Sequence, residues 1–186
     1  MHKLEDCVGG DCVAHVHARL YEAIGAERPN PKFLIGAGGD AVAIFGDLAQ
    51  TLRPPYFVLY VLHTSRGEGE VGRYESEEVD RLQLADFIGR YQAFLIADGR
   101  FDIWVRSPTD SATIVWDRHN YIHAYGPLDR YSSILEAAGY APGEVDRIAQ
   151  REHLHHYRPE LDHLATDLLN EFEWDWSPLR PADEQI

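Results

Sequence analysis

A chain of 186 residues with 45% hydrophobic and 26% charged side chains can bury a core of its own, which sets it apart from disordered polymers. Its 31 acids against 17 bases give a formal charge of −14, a field that disfavours direct nucleic-acid binding and attracts a basic protein partner. No stretch approaches the ~18 apolar residues of a membrane span, and Met1-His2-Lys3 leads into Glu5 and Asp6 rather than an apolar leader, so the expected location is cytoplasmic, away from membranes.

Cys7 and Cys12 read as thiols, because a bridge between them would close only a small loop. Residues 11–24 carry Val13, Val16, Leu20 and Ile24 at helical spacing, with Asp11 as a cap and Gly25 at the end, and predict a first helix. Pro29 and Pro31 mark a connection, after which a second helix follows Asp40 with Ala41, Ile44, Phe45, Leu48 and Leu52 on one face. Pro54-Pro55 end it, and the continuous apolar run Tyr56 to Leu62 predicts a central strand covered on both sides.

Residues 65–80, rich in Gly and Glu, suggest a solvated loop or an edge hairpin. Asp80 and Gln83 are spaced for a capping box on a third helix with Leu84, Phe87, Ile88, Tyr91, Phe94 and Leu95 inward. Phe101–Arg106, Thr113–Trp116 and Tyr121–Tyr125 alternate as strands of an antiparallel meander. Pro127 opens a fourth helix, Gly139-Tyr140 has the form of a Schellman end, and Pro159 to about Phe172 predicts a fifth helix. The expected architecture is a single α+β domain over 1–186. Its centre is a mostly antiparallel sheet of about five strands, including the three-stranded meander, packed by about five helices, with a flexible tail at 177–186.

Several groups of residues could carry chemistry. Gly36-Ala37-Gly38-Gly39-Asp40-Ala41 fits the dinucleotide-binding spacing, but Pro31 stunts the preceding strand and Asp40 sits where a phosphate would, so it reads as the glycine-rich start of a helix. Cys7, Cys12, His15 and His17 have zinc-like chemistry at a spacing no strong zinc pattern uses. Near the C-terminus His153 and His155 would point to one side of an extended segment. With His163 and Glu152 they could hold zinc or another divalent metal and activate a water, the basis of a metal-dependent hydrolase.

The meander gathers Trp104, Arg106, Trp116, Tyr121, His123 and Tyr125, and the segment Glu171–Trp176 sets Trp174 and Trp176 among acids. Trp, Tyr and Arg are the residue types that anchor protein interfaces. These eight residues are the expected partner-binding set of a non-catalytic acidic domain, comparable in size and charge to immunity or inhibitor proteins, for which no cofactor is expected. The metal-dependent hydrolase is the alternative.

Overall fold

A computed structural model describes residues 2–25, 27 and 29–184 of the chain. It is α+β, but the five-strand sheet and five helices of the expectation are overturned: the main sheet has nine strands, a second sheet has three, and four α-helices pack with them among the described residues. The error begins at residues 11–24. Gly9 and Gly10, at φ +64° and +93°, make a two-residue hairpin turn between β1 (Leu4–Val8) and β2 (Asp11–Ala14). Two consecutive positive-φ residues are what a tight hairpin with matching strand twist requires. The supposed helical stripe is split between strands: Val13 on β2 and Val16 after it are 65% and 62% exposed, while Leu20 and Ile24 belong to β3 (Leu20–Ile24). The hairpin also sets Cys7 opposite Cys12 at a Cα separation of 4.2 Å, and the two form a disulfide rather than the expected thiols.

The main sheet continues with β4 (Lys32–Gly36), β5 (Phe57–Leu62), β6 (Gly72–Ser76), β7 (Phe101–Ser107), β8 (Ala112–Trp116) and β9 (Tyr121–Tyr125). The short β10 (Ala141–Pro142) and the last strand, β12 (Trp174–Ser177), are its edges, in the order β10-β3-β4-β9-β8-β7-β5-β6-β12. The β10–β3 pairing is parallel and the others antiparallel, which makes the sheet mixed. β5 lies inside the sheet, third from the β12 edge rather than at its centre, and β6 too lies inside the sheet rather than at its edge.

Helices α1 (Ala41–Gln50), α2 (Arg81–Ala97), α3 (Leu128–Ala137) and α4 (Asp162–Leu168) cover one face. At the start of α2 Asp80 accepts from Leu82 and Gln83 N–H groups, and the Gln83 side chain closes the capping box. α3 ends in the Schellman bonds Tyr140 N–H to Leu135 O and Gly139 N–H to Glu136 O, with Gly139 at φ +82°. The fifth helix is shorter than the pattern suggested, a single turn at Pro159–Leu161 running into α4. On this face Ile122 and Ala124 of β9 join Ile114 and Trp116 of β8 in the main apolar cluster, so by strand alternation Tyr121, His123 and Tyr125 emerge on the other face.

That other face is partly roofed by the small sheet, in which β11 (His153–His155) pairs with β1 and β1 with β2. Beneath it Leu4, Leu34, Tyr121, Val145 and Ile148 form a second, smaller core. At the far edge β6 and β12 pair Glu75 with Asp175, bringing the two acidic stretches of the sequence side by side. Within the stretch expected as flexible, Asp183 is buried and ion-paired with the buried Arg73; Gln185 and Ile186 lie outside the described residues.

Candidate functional site

The roofed face carries two neighbouring features, a cavity and a histidine cluster, joined by Asp117. Residues 117–120 form the turn between β8 and β9. Asp117 Oδ1 accepts from the His119 and Tyr121 N–H groups, and Asn120 takes the left-handed conformation at φ +61°. Asp117 Oδ2 accepts from His123 Nε2 at 3.3 Å. Burial pushes this carboxyl's pKa up, but His119 and His123 outweigh burial and hold it well below the ordinary carboxylate range.

The cavity encloses about 800 Å³ over β4, β9, β8 and β7. Trp104, Tyr121, His123 and Tyr125 line it with Leu34, Val115, Lys32 and Arg147. Lys32 Nζ lies 2.9 Å from His123 Nδ1 and sits over the Tyr125 ring. An ammonium can only donate, so His123 accepts at Nδ1 and carries its proton on Nε2, toward Asp117. Tyr121 donates its hydroxyl to the Asp146 carbonyl, Arg147 pairs with Glu22 at 2.6 Å, and the Trp104 indole N–H is buried without a partner.

Four of the eight expected partner-binding residues therefore line one cavity, and the other four are elsewhere. Trp116 is buried on the helix face against Phe45, with its indole N–H bonded to Asn120 Oδ1. Arg106 lies outside the cavity lining, over the Phe57 ring and paired with Glu75. Trp174 packs against Tyr74 and Phe172, and Trp176, 43% exposed, stands at the β12 edge, where a Cβ at Gly72 would overlap its indole.

His153 and His155 do project to one side of a strand, since Leu154 between them is 50% exposed on the opposite side. The expected companions do not join them: His163 is exposed on α4, and Glu152 is exposed, offering its backbone carbonyl to Cys7. The third member of the cluster is His119, from a turn 34 residues earlier in the chain than His153. Burial, with Coulombic help from His119 and other positive neighbours, lowers the His155 pKa to about 3. His17, also buried and held down to about 4, donates from Nε2 to the His119 carbonyl at 2.9 Å, and His15 Nε2 lies 3.3 Å from its Nδ1. Sequence spacing treats these histidines as three unrelated groups. Only the pairing of β1 with β11 and the folding of the 117–120 turn beneath it bring them together.

A glycine has its own reason here. A Cβ at Gly36 would press on His17 and the Ala18 carbonyl, so this glycine serves close chain packing. Gly38 N–H bonds the Tyr140 hydroxyl, which in turn bonds Asp40.

Comparison of the chain with protein-family models, with curated proteins and with solved structures gives no match.

Proposed function

We propose that this chain is a non-catalytic binding domain of the immunity or inhibitor kind, which captures a basic protein partner and receives part of it in the cavity on the roofed sheet face. The observation that supports this reading is the cavity of about 800 Å³ lined by Trp104, Tyr121, His123 and Tyr125. Cavities of roughly 300–1,000 Å³ with aromatic walls and a few fixed polar groups are the usual form of a small-molecule site, and one of this size also has room for a side chain of a partner. Lys32 and Arg147 place cationic donors at the cavity, so the inserted group is one that accepts hydrogen bonds, a carboxylate or carbonyl. The net charge of −14 acts at longer range, steering a basic partner and disfavouring nucleic acid.

No described helix is long and apolar enough to cross a membrane. A cytoplasmic location belongs to the proposal but conflicts with the Cys7–Cys12 disulfide, since that compartment keeps thiols reduced. Counting free thiols in freshly lysed cells decides between the two.

The binding reading is tested with immobilised protein and a Trp104→Ala/Tyr125→Ala variant, each exposed to native-host extract at low and high salt. The expected result is a basic protein retained by the wild type, released as salt rises and not retained by the variant. Absence of any salt-sensitive partner, or equal retention by the variant, overturns it.

A further inference from the structure

We propose that His119, His153 and His155 form a binding site for one divalent transition-metal ion, and that its occupant is zinc. One ligand nitrogen from each ring lies within 4.8 Å of the others, and the ring centroids are 4.9–5.0 Å apart with the rings steeply inclined to one another. Three imidazoles on a zinc ion, with Zn–N bonds of about 2.0–2.1 Å in tetrahedral geometry, would bring their nitrogens to roughly 3.3 Å apart. Modest ring rotations close that difference.

The protein holds the rings as metal sites hold ligands. His153 Nδ1 lies 2.8 Å from the Arg151 carbonyl, which can only accept, so the proton is on Nδ1 and Nε2 presents a lone pair. Asp117 Oδ2 lies 3.7 Å from His119 Nδ1, in the place of the outer carboxylate of a carboxylate–histidine–metal relay, which leaves Nε2 of His119 for the ion. β11 is fixed by its register with β1, Leu4 opposite His155 and Asp6 opposite His153. Gly99 packs closely on His155, since a Cβ at this glycine would lie 3.0 Å from His155 Cβ and 3.1 Å from the Lys3 carbonyl oxygen.

Ordinary packing does not account for the cluster. Buried polar atoms are almost always paired, yet Nδ1 of His155 is buried without a hydrogen-bond partner, and Nδ1 of His119 has only Asp117 Oδ2 at 3.7 Å, beyond hydrogen-bond distance. No carboxylate belongs to the three-ring group, unlike the nearby His2–Glu5–His156 group, where Glu5 lies 3.0 and 2.9 Å from its two imidazoles and supplies them with an acceptor. An all-imidazole set selects zinc and its transition-metal neighbours over magnesium or calcium, which require oxygen ligands. Three protein ligands leave a fourth position for water or for a group on a partner.

The test uses the untagged full chain, freed of metal by a chelator and titrated with Zn²⁺ by calorimetry. One equivalent is expected to bind, and the Co²⁺-loaded protein should show the intense visible absorption of four-coordinate cobalt. His119→Gln and His153→Gln should each weaken binding by at least roughly a hundredfold, the upper end of what even outer partners contribute. His163→Gln should leave binding unchanged. Because either cluster variant could fail to fold, imidazole nitrogen shifts in the wild-type protein are followed by NMR during the titration. Selective shifts at His119, His153 and His155 support the site. No binding in the wild type, shifts confined to other histidines, or equal affinity in the folded cluster variants overturns it.

Discussion

On the helix side of the main sheet Phe45, Trp116, Ile122 and Leu135 are at most 1% exposed and pack in one apolar cluster, whereas on the roofed side the buried groups include Lys3, His17, Asp117, His119 and His123. The first face is held by area removed from water, which any apolar side chain of suitable shape supplies. The second is held by specific pairings: Lys3 Nζ to the Asp117 carbonyl, His17 to the His119 carbonyl, His123 to the Asp117 carboxylate. A polar interior tolerates few substitutions, because removing one partner strands the other away from water. The difference teaches where stability and where recognition reside, and it can be broken experimentally.

The largest effect is expected at the most heavily charged junction. Arg100 is fully buried and binds Asp98 through both Nε and Nη2 at 2.8 Å, Glu68 at 3.0 Å and Asp162 at 2.7 Å, tying the 65–71 loop and α4 to the turn between α2 and β7. Arg100→Met leaves the buried Asp98 and Glu68 carboxylates without their counter-charge and should cost about 3–5 kcal/mol in urea unfolding. A loss below about 1 kcal/mol would show that the charged junction contributes no more than surface pairs do.

This junction also shows what was legible in the sequence. Helical periodicity found α1, α2 and α3, and period-two alternation found the meander, because one apolar face per element leaves its mark locally. Glu68 looked like part of a solvated loop because a lone sequence reads every glutamate as exposed, and its partner Arg100 lies 32 residues away. The hairpin at Gly9-Gly10 was missed although two adjacent glycines are a turn signal, because the valine stripe beyond them mimicked a helix. At the site, the strand geometry of His153 and His155 followed from spacing, whereas His119 did not, since its place depends on a turn docking beneath a separate sheet. Likewise Tyr121, His123 and Tyr125 share a face by alternation, and only the β4–β9 pairing adds Lys32.

A second contrast compares the two faces with paired truncations. Phe45→Ala removes a fully buried ring from the helix face and should cost about 3–5 kcal/mol, by the transfer free energy of the ring and the cavity left behind. Tyr125→Ala removes a half-buried ring from the cavity wall, where water can enter, and should cost about 1 kcal/mol while abolishing partner retention. Denaturant midpoints measure both. Equal losses would mean that the cavity wall is core, and the functional reading of Tyr125 would fall.

The smallest effect concerns Lys3, the one buried ammonium of the roofed side, packed 4.5 Å from the centre of the Trp116 ring. Burial lowers its pKa from 10.5 to about 8, against the pull of Asp117, Asp102 and Asp98 in the other direction. Between these two values the unfolded chain holds a proton at Lys3 that the folded protein has released. The unfolded state then binds more protons, so stability rises with pH. The rise should amount to about 1.5 kcal/mol between roughly pH 8 and 9.5. Above about pH 10 the trend reverses, because Tyr60, Tyr91 and Tyr131, with pKa values raised chiefly by burial, keep protons that the unfolded chain loses. Urea unfolding across this range should therefore trace a maximum in the wild type. In Lys3→Met, whose unbranched side chain is one atom shorter and carries no charge, the ascending limb should vanish and the descending one remain. An ascending limb that persists in Lys3→Met would assign the proton release to another group and would show that Lys3 stays charged inside the fold, its ammonium fully compensated by the Asp117 carbonyl and the surrounding carboxylates.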